Sequence, residues 1–306
     1  MSRGRALAVL ALAVALPGCG VGAGKGASGV DVVVTRDFGA RTLGDARADH
    51  APGGETVMRF LERRFHVRTR YGGGFVQAIE GVAGGREGGR PVDWFYYVNG
   101  IEAGEGAAAT RLRAGDRVWW DHHDWGAAMR VPAVVGSFPE PFRSGTGGKR
   151  FPVQVVCAPG AGAACGAAKD RLTAAGVDFG SAAYGSPPGE VTLRVVVGPW
   201  RALRGDLVAG DLARGPGASG VFARPSAGAL TLLDARGRAA RTLTAGAGLV
   251  AATRLRERSP TWVVTGTDAA GTLAAARALT AGTLRHRFAL ALDHGRPVSL
   301  PLGAGG

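Results

Sequence analysis

The chain has 306 residues, 46% of them hydrophobic and 20% charged, a composition that suits a globular protein and excludes a collagen-like or low-complexity chain. This length allows two modest domains. The formal net charge of +13 is carried almost wholly by arginine, since there are only three lysines, and the arginines are scattered with no basic run or nucleic-acid motif; a nucleic-acid partner is therefore not expected.

In chain order, Arg3 and Arg5 precede an apolar run from Ala6 to about Leu16, too short to span a bilayer comfortably. Leu16-Pro17-Gly18-Cys19 closes it. This pattern resembles a bacterial lipoprotein signal, with leucine three before the cysteine and a small residue just before it. The resemblance implies cleavage after residue 18 and lipid on Cys19, which would hold the chain at the extracytoplasmic face of the cell membrane. Residues 20–29 are glycine-rich and read as the flexible remainder of a tether spanning 19–29.

Val30–Thr35 is a β-prone run, and a second strand is expected over Arg41–Ala48. Pro52-Gly53-Gly54 interrupts the chain before a helix from Glu55 to about Phe65, in which Val57, Met58, Leu61 and Phe65 share one stripe. Val67–Tyr71 and Phe75–Glu80 flank three glycines as a hairpin. Trp94–Val98 is an aromatic strand. Asn99-Gly100 is a strong hairpin turn because both residues accept positive φ, and Ile101–Gly104 is the expected return strand. A turn at Leu112–Asp116 leads into a strand over Arg117–Asp124. One helix on a small mixed sheet accounts for this order.

Residues 127–150, with three prolines and a Gly/Ser patch, are read as a linker between a first domain at 30–126 and a second at 151–306. The second alternates strand and helix, as in an α/β layered domain. Expected strands are Val153–Val156, Val191–Val197, Gly220–Ala223, Ala229–Asp234, Leu249–Thr253, Thr261–Val264 and a final Phe288–Leu292. Expected helices are Gly166–Ala175 and Gly271–Leu279, the latter capped by Asp268. The overall class is α+β. Cys157 and Cys165 form an even pair expected to join as a local disulfide in an oxidising compartment; a redox pair or metal ligands are the alternatives, though the spacing fits neither CxxC nor a usual zinc knuckle.

Gly54-Glu55-Thr56-Val57, Trp94–Gly100 and Leu112–Trp119 together resemble the transcobalamin-like C-terminal domain, a β-grasp-type module related to soluble-ligand-binding domains. The resemblance covers roughly residues 30–125. In animal cobalamin carriers the equivalent domain closes over the corrin ligand, so the resemblance implies non-catalytic binding of a small ligand, with a corrinoid as one candidate and support of uptake through a membrane transporter as one role.

Alternation sends Trp94, Tyr96 and Val98 to one face of the sheet and Phe95 and Tyr97 to the other. It likewise separates Trp119, Asp121, His123 and Trp125 from Trp120, His122 and Asp124. The second face is either partly exposed packing surface or a stacking platform for a flat ligand. On the platform reading, Tyr97, Trp119 and Trp125 form an apolar wall, and Asn99 and His123 offer polar contacts. His122 and His123 among aspartates invite a metal reading, but each face supplies only two ligands, so a polar strand end with hydrogen-bonded histidines is expected, with no metal. No G-x-S-x-G, P-loop or zinc-protease motif is present, so catalysis is not expected. The rival to ligand binding is an envelope scaffold or adhesion module that contacts wall polymer or another protein.

Overall fold

A computed structural model describes residues 29–256 and 258–303. The signal, Cys19 and the tether up to residue 28 lie outside the described residues. The chain is mixed α/β, with strands in four sheets.

The first unit begins with β1 (Val30–Arg36) and β2 (Arg41–Ala48), joined by a tight turn. α1 (Val57–Arg64) follows, capped by Thr56, whose Oγ1 accepts from the Arg59 amide at 3.2 Å. Eight residues are too few for a helix to stand alone. Val57, Met58, Phe60 and Leu61 hold it down by burial, and Arg63 and Arg64 suit the negative end of its dipole. β3 (Val67–Arg70), β4 (Phe75–Ile79) and β5 (Val82–Ala83) form a small separate sheet. β6 (Gly85–Glu87), β7 (Arg90–Val98), β8 (Ile101–Glu102) and β9 (Arg117–Asp124) complete the main one. Its order is β2-β1-β9-β7-β6, with β8 paired to β7. β9 lies at the centre, parallel to β1 and antiparallel to β7. The Asn99-Gly100 turn has φ of 54° and 77°, as its composition implies, but β8 is only two residues long.

The second unit is a seven-stranded sheet in the order β11 (Gly180–Ala182), β10 (Val153–Cys157), β12 (Leu193–Pro199), β17 (Thr261–Gly266), β16 (Ala247–Thr253), β18 (Ala289–Asp293), β19 (Arg296–Leu300). Parallel neighbours are β10, β11, β12 and β17. β16, β18 and β19 add antiparallel pairings. α2 (Gly162–Ala174) and α5 (Ala269–Arg277) pack together on one face, over a core of Val155, Val195, Val197, Trp262, Leu172 and Ala275. Between β12 and β16 come two single-turn helices, α3 (Trp200–Leu203) and α4 (Pro216–Ser219), and a meander of β13 (Ala223–Ser226), β14 (Ala229–Leu233) and β15 (Ala239–Leu243). Another single turn, α6 (Ala281–Leu284), precedes β18.

Four sequence expectations need correction. The helix after the cysteines starts at Gly162, not residue 166, so Cys165 lies inside its first turn. The strand expected at 220–223 starts only at Ala223, because Gly220 ends α4 in the left-handed conformation. β18 is not the final strand: β19 follows, tolerating Pro297 at the sheet edge. Phe60, outside the expected stripe, is buried with it. Asp268 does cap α5, its Oδ1 accepting from the Gly271 amide at 2.7 Å.

Cys157 and Cys165 form a disulfide with a Cα separation of 5.8 Å, joining the end of β10 to the start of α2. Loop-closure entropy for so short a ring is about 2–3 kcal/mol. Cys157→Ser/Cys165→Ser is therefore expected to lower stability by about that amount in denaturant titration, without changing the far-ultraviolet circular dichroism.

Residues 127–150 connect the two units but are not an exposed tether. Val131 and Val134 join the core between the units, and Phe138 and Phe142 pack against Trp262.

Candidate functional site

The two faces of the first sheet have different partners. Val30, Val32, Val34, Trp94, Tyr96, Val98, Val118 and Trp120 face α1 and its surroundings. The opposite face carries Val33, Phe95, Tyr97 and Trp119, and these pack into a core shared with the second unit. The alternation expected for β7 and β9 is thus observed, and the outer face is neither open nor under the helix.

Phe288, just before β18, is the centre of that seam. Its ring lies 5.1 Å from Trp119, 5.2 Å from Phe38, 5.4 Å from His123 and 5.6 Å from Tyr97, each edge to face. Phe222 extends the seam beyond these four rings, 5.0 Å from Phe38. Phe38 stands in the β1–β2 turn, where Asp37, Phe38 and Gly39 all have positive φ. Gly39 is required there twice over. Its φ is 81°, and a Cβ would lie 2.2 Å from the His286 carbonyl oxygen.

Behind the aromatic seam lies a buried polar chain. The Trp119 indole donates to Thr35 Oγ1 at 2.7 Å, and Thr35 Oγ1 donates to Asp121 Oδ2 at 2.5 Å. Asp121 is fully buried and also accepts from the Gly39 amide at 2.8 Å, the Phe38 amide at 3.0 Å and His123 Nδ1 at 2.8 Å. His123 is sandwiched between Phe38 and Phe95, with ring centroids 4.5 Å away on each side. One carboxylate therefore holds the turn that carries Phe38 and orients the histidine beside it.

The residues proposed from sequence fall into three groups. Tyr97, Trp119 and His123 come together, but as packing in the seam. The Tyr97 hydroxyl is buried with no hydrogen-bond partner among the described residues, and burial pushes its ionisation well above the usual value. Tyr97→Phe should leave stability unchanged or raise it by about 1 kcal/mol in chemical denaturation, because it removes an unmet desolvation cost. Asn99 is spent on the protein: its Nδ2 donates to Asp116 Oδ1 at 3.0 Å and to the Gly145 carbonyl at 2.8 Å, and its Oδ1 accepts from the Arg117 amide at 2.9 Å. Trp125 stands apart, half-buried past the end of β9, its amide donating to the Pro91 carbonyl at 3.2 Å.

His122 points to the α1 face, its Nε2 3.1 Å from the Ala83 carbonyl and its ring 5.2 Å from Trp94. Among the described residues no group of three or more His, Cys, Asp or Glu side chains could hold a metal ion. Burial lowers the ionisation of His122 below the usual 6.5, and burial with help from Arg285 does the same for His286. The unfolded chain therefore binds these protons first. Stability is full above about pH 6.5 and falls as the pH drops through the window between unfolded and folded values. A thermal-melt series is expected to show that loss, and His122→Gln should flatten it.

An open cleft of about 520 Å³ runs along the edge of the seam. β1, β2 and β9 supply Asp31, Val33, Asp45, Arg47, Arg117 and Trp119; the connection supplies Gly136 to Phe138; α6 and its exit supply Ala281, Gly282, Arg285 and His286. Its volume lies within the usual range for small-molecule sites. Arg117 is braced by donating to the Ser137 and Phe138 carbonyls at 3.2 and 2.9 Å. Neither Arg117 nor Arg285 has a carboxylate partner among the described residues, whereas Arg47 lies 3.7 Å from Asp31. Of the residues proposed from sequence, only Trp119 borders this cleft. Arg117, Arg285 and His286 were missed because the cleft exists only where two distant segments meet. A second, smaller hollow of about 250 Å³, at the other side of the β1–β2 turn, is bordered by His122, His123, Arg36 and Arg90.

No helix among the described residues is long and apolar enough to cross a membrane. No curated protein is similar to the chain. The stretch from the loop before α1 to the end of β9 does match a known family: residues 54–124 are similar to DUF4430, a domain of unknown function that is a transcobalamin-like family.

Proposed function

We propose that this chain is a lipid-anchored extracytoplasmic protein that binds a small ligand without transforming it, seating it in the cleft between its two units. The transcobalamin-like DUF4430 domain favours the ligand-binding class. The observation that carries the reading is the cleft itself: about 520 Å³, with Val33 and Trp119 as apolar wall and Arg117 and Arg285 as cations that have no carboxylate partner among the described residues. Three arginines against Asp31 and Asp45 leave an excess of positive charge. A small molecule with a carboxylate or phosphate at one end and an apolar body fits this lining.

A corrinoid belongs to the same reading under one condition. The broad face bearing Tyr97 and Trp119 is filled by Phe38, Phe222 and Phe288, so a corrin plane could stack there only if the units parted. Anchoring rests on the Leu16–Cys19 pattern, and the Cys157–Cys165 disulfide suits an oxidising compartment.

Calorimetric titration of the full chain with a panel of small carboxylates, phosphates and cobalamin tests the reading. Saturable binding of an anionic member is expected, weakened about tenfold by Arg285→Ala. No binding across the panel, with retention on purified wall polymer instead, would overturn it in favour of an envelope scaffold.

A further inference from the structure

The hairpin between β3 and β4 ends in two large aromatic residues exposed to solvent. Tyr71 is 86% exposed and Phe75 42% exposed, their rings 6.3 Å apart, edge to face, across Gly72 to Gly74. Exposed aromatics at a loop tip are unusual in a chain that otherwise buries its Trp and Tyr residues well. Arg68 and Arg70 flank the tip on the same hairpin, and Gly72 and Gly73 border a groove with Arg59 and Arg111. All four arginines are exposed, and none forms an ion pair among the described residues. Glu62 is the acid that borders the same groove.

The position of the tip matters as much as its chemistry. Thr56 bridges to Arg111, the Arg113 amide donates to Asp116, and the Asp31 amide donates to the Asp116 carbonyl. The tip therefore lies at the end of the sheet where β1 begins, the end from which the chain leads back from Gly29 toward Cys19. Cys19 and Gly29 are ten positions apart, a reach of about 35 Å at most.

We infer that the Tyr71–Phe75 tip is a membrane-contact element that seats its aromatic pair at the headgroup level of an anionic bilayer. The inference rests on the anchored reading of Cys19. Tyrosine favours the interface because it combines apolar area with a polar tip, and the phenyl ring beside it adds apolar area that burial in the interface takes from water. Unpaired arginines beside them meet anionic phosphates, each contributing about fivefold to surface affinity. A lipid on Cys19 would bring this end of the first unit to the bilayer, and the tip would then fix its orientation, leaving the second unit outward.

The test uses the full acylated chain in vesicles. Tyr71→Cys, Phe75→Cys and, as control, exposed Leu207→Cys in the second unit each carry a nitroxide label, Cys157 and Cys165 being joined already. On vesicles containing phosphatidylglycerol, the labels at 71 and 75 are expected to show several-fold higher oxygen collision rates than the label at 207. The gain should shrink on pure phosphatidylcholine and in an Arg68→Glu/Arg70→Glu background. Labels at 71 and 75 as water-exposed as the one at 207, on a chain whose Cys19 is shown by mass spectrometry to be acylated, would overturn the tip and leave the anchor standing. Buried tip labels on an unacylated chain would uphold the tip and overturn the anchor.

Discussion

Asp121→Ala is expected to lower stability by about 3–5 kcal/mol. The carboxylate is fully buried and receives four donors: two backbone amides of the β1–β2 turn, the Thr35 hydroxyl and His123 Nδ1. Alanine would strand all four where water does not reach. The turn would lose what holds Phe38 and Gly39 in left-handed backbone, and Phe38 is one of the rings around Phe288. The effect should therefore reach the cleft as well as the fold. Asp121→Asn should be milder, because its oxygen keeps two of the donors while its amide confronts the others. Equilibrium denaturation of the two variants checks the order, and a loss below about 1 kcal/mol for alanine would contradict the network.

Phe288→Ala should cost about 3–5 kcal/mol, in the range for deleting a buried phenyl ring. The ring touches Phe38, Tyr97, Trp119 and His123 at once, so the cavity is bounded by four stiff aromatic groups that collapse poorly. The variant also tests which surface receives ligand. With the phenyl gone, the Tyr97–Trp119 face is partly uncovered. Cobalamin affinity should then rise while the affinity of a small anion for the edge cleft changes little, since Arg117 and Arg285 are untouched. Parallel loss of anion binding would place the ligand in the seam instead of at its edge.

Much of the first unit was legible because local rules decide it. The alternation of Trp94–Val98 and of Arg117–Asp124 assigned the correct face to each aromatic residue, and Asn99-Gly100 named its own turn. Periodicity says that a strand has two faces; it does not say what covers each. Phe288 meets Trp119 across most of the chain's length, and no spacing rule links them. The same holds for Thr35 and Asp121, whose contact depends on the parallel register of β1 with β9. Residues 127–150 carry the prolines and glycines of a loop, yet Val134 and Phe138 are core, because the connection runs through the junction and not around it. β19 was hidden by Pro297, and β15 by its exposed, arginine-bearing sequence.

The Trp119 indole N–H is the single most direct reporter of the account, because Trp119 both borders the cleft and closes the seam. Its proton is bonded to Thr35 and buried, so its hydrogen exchange should be slow, and titration with a small anionic ligand should shift its resonance saturably while leaving exchange slow. A fast-exchanging indole in the free protein, or a resonance that no member of the panel moves, would contradict a sealed seam with a ligand cleft at its edge.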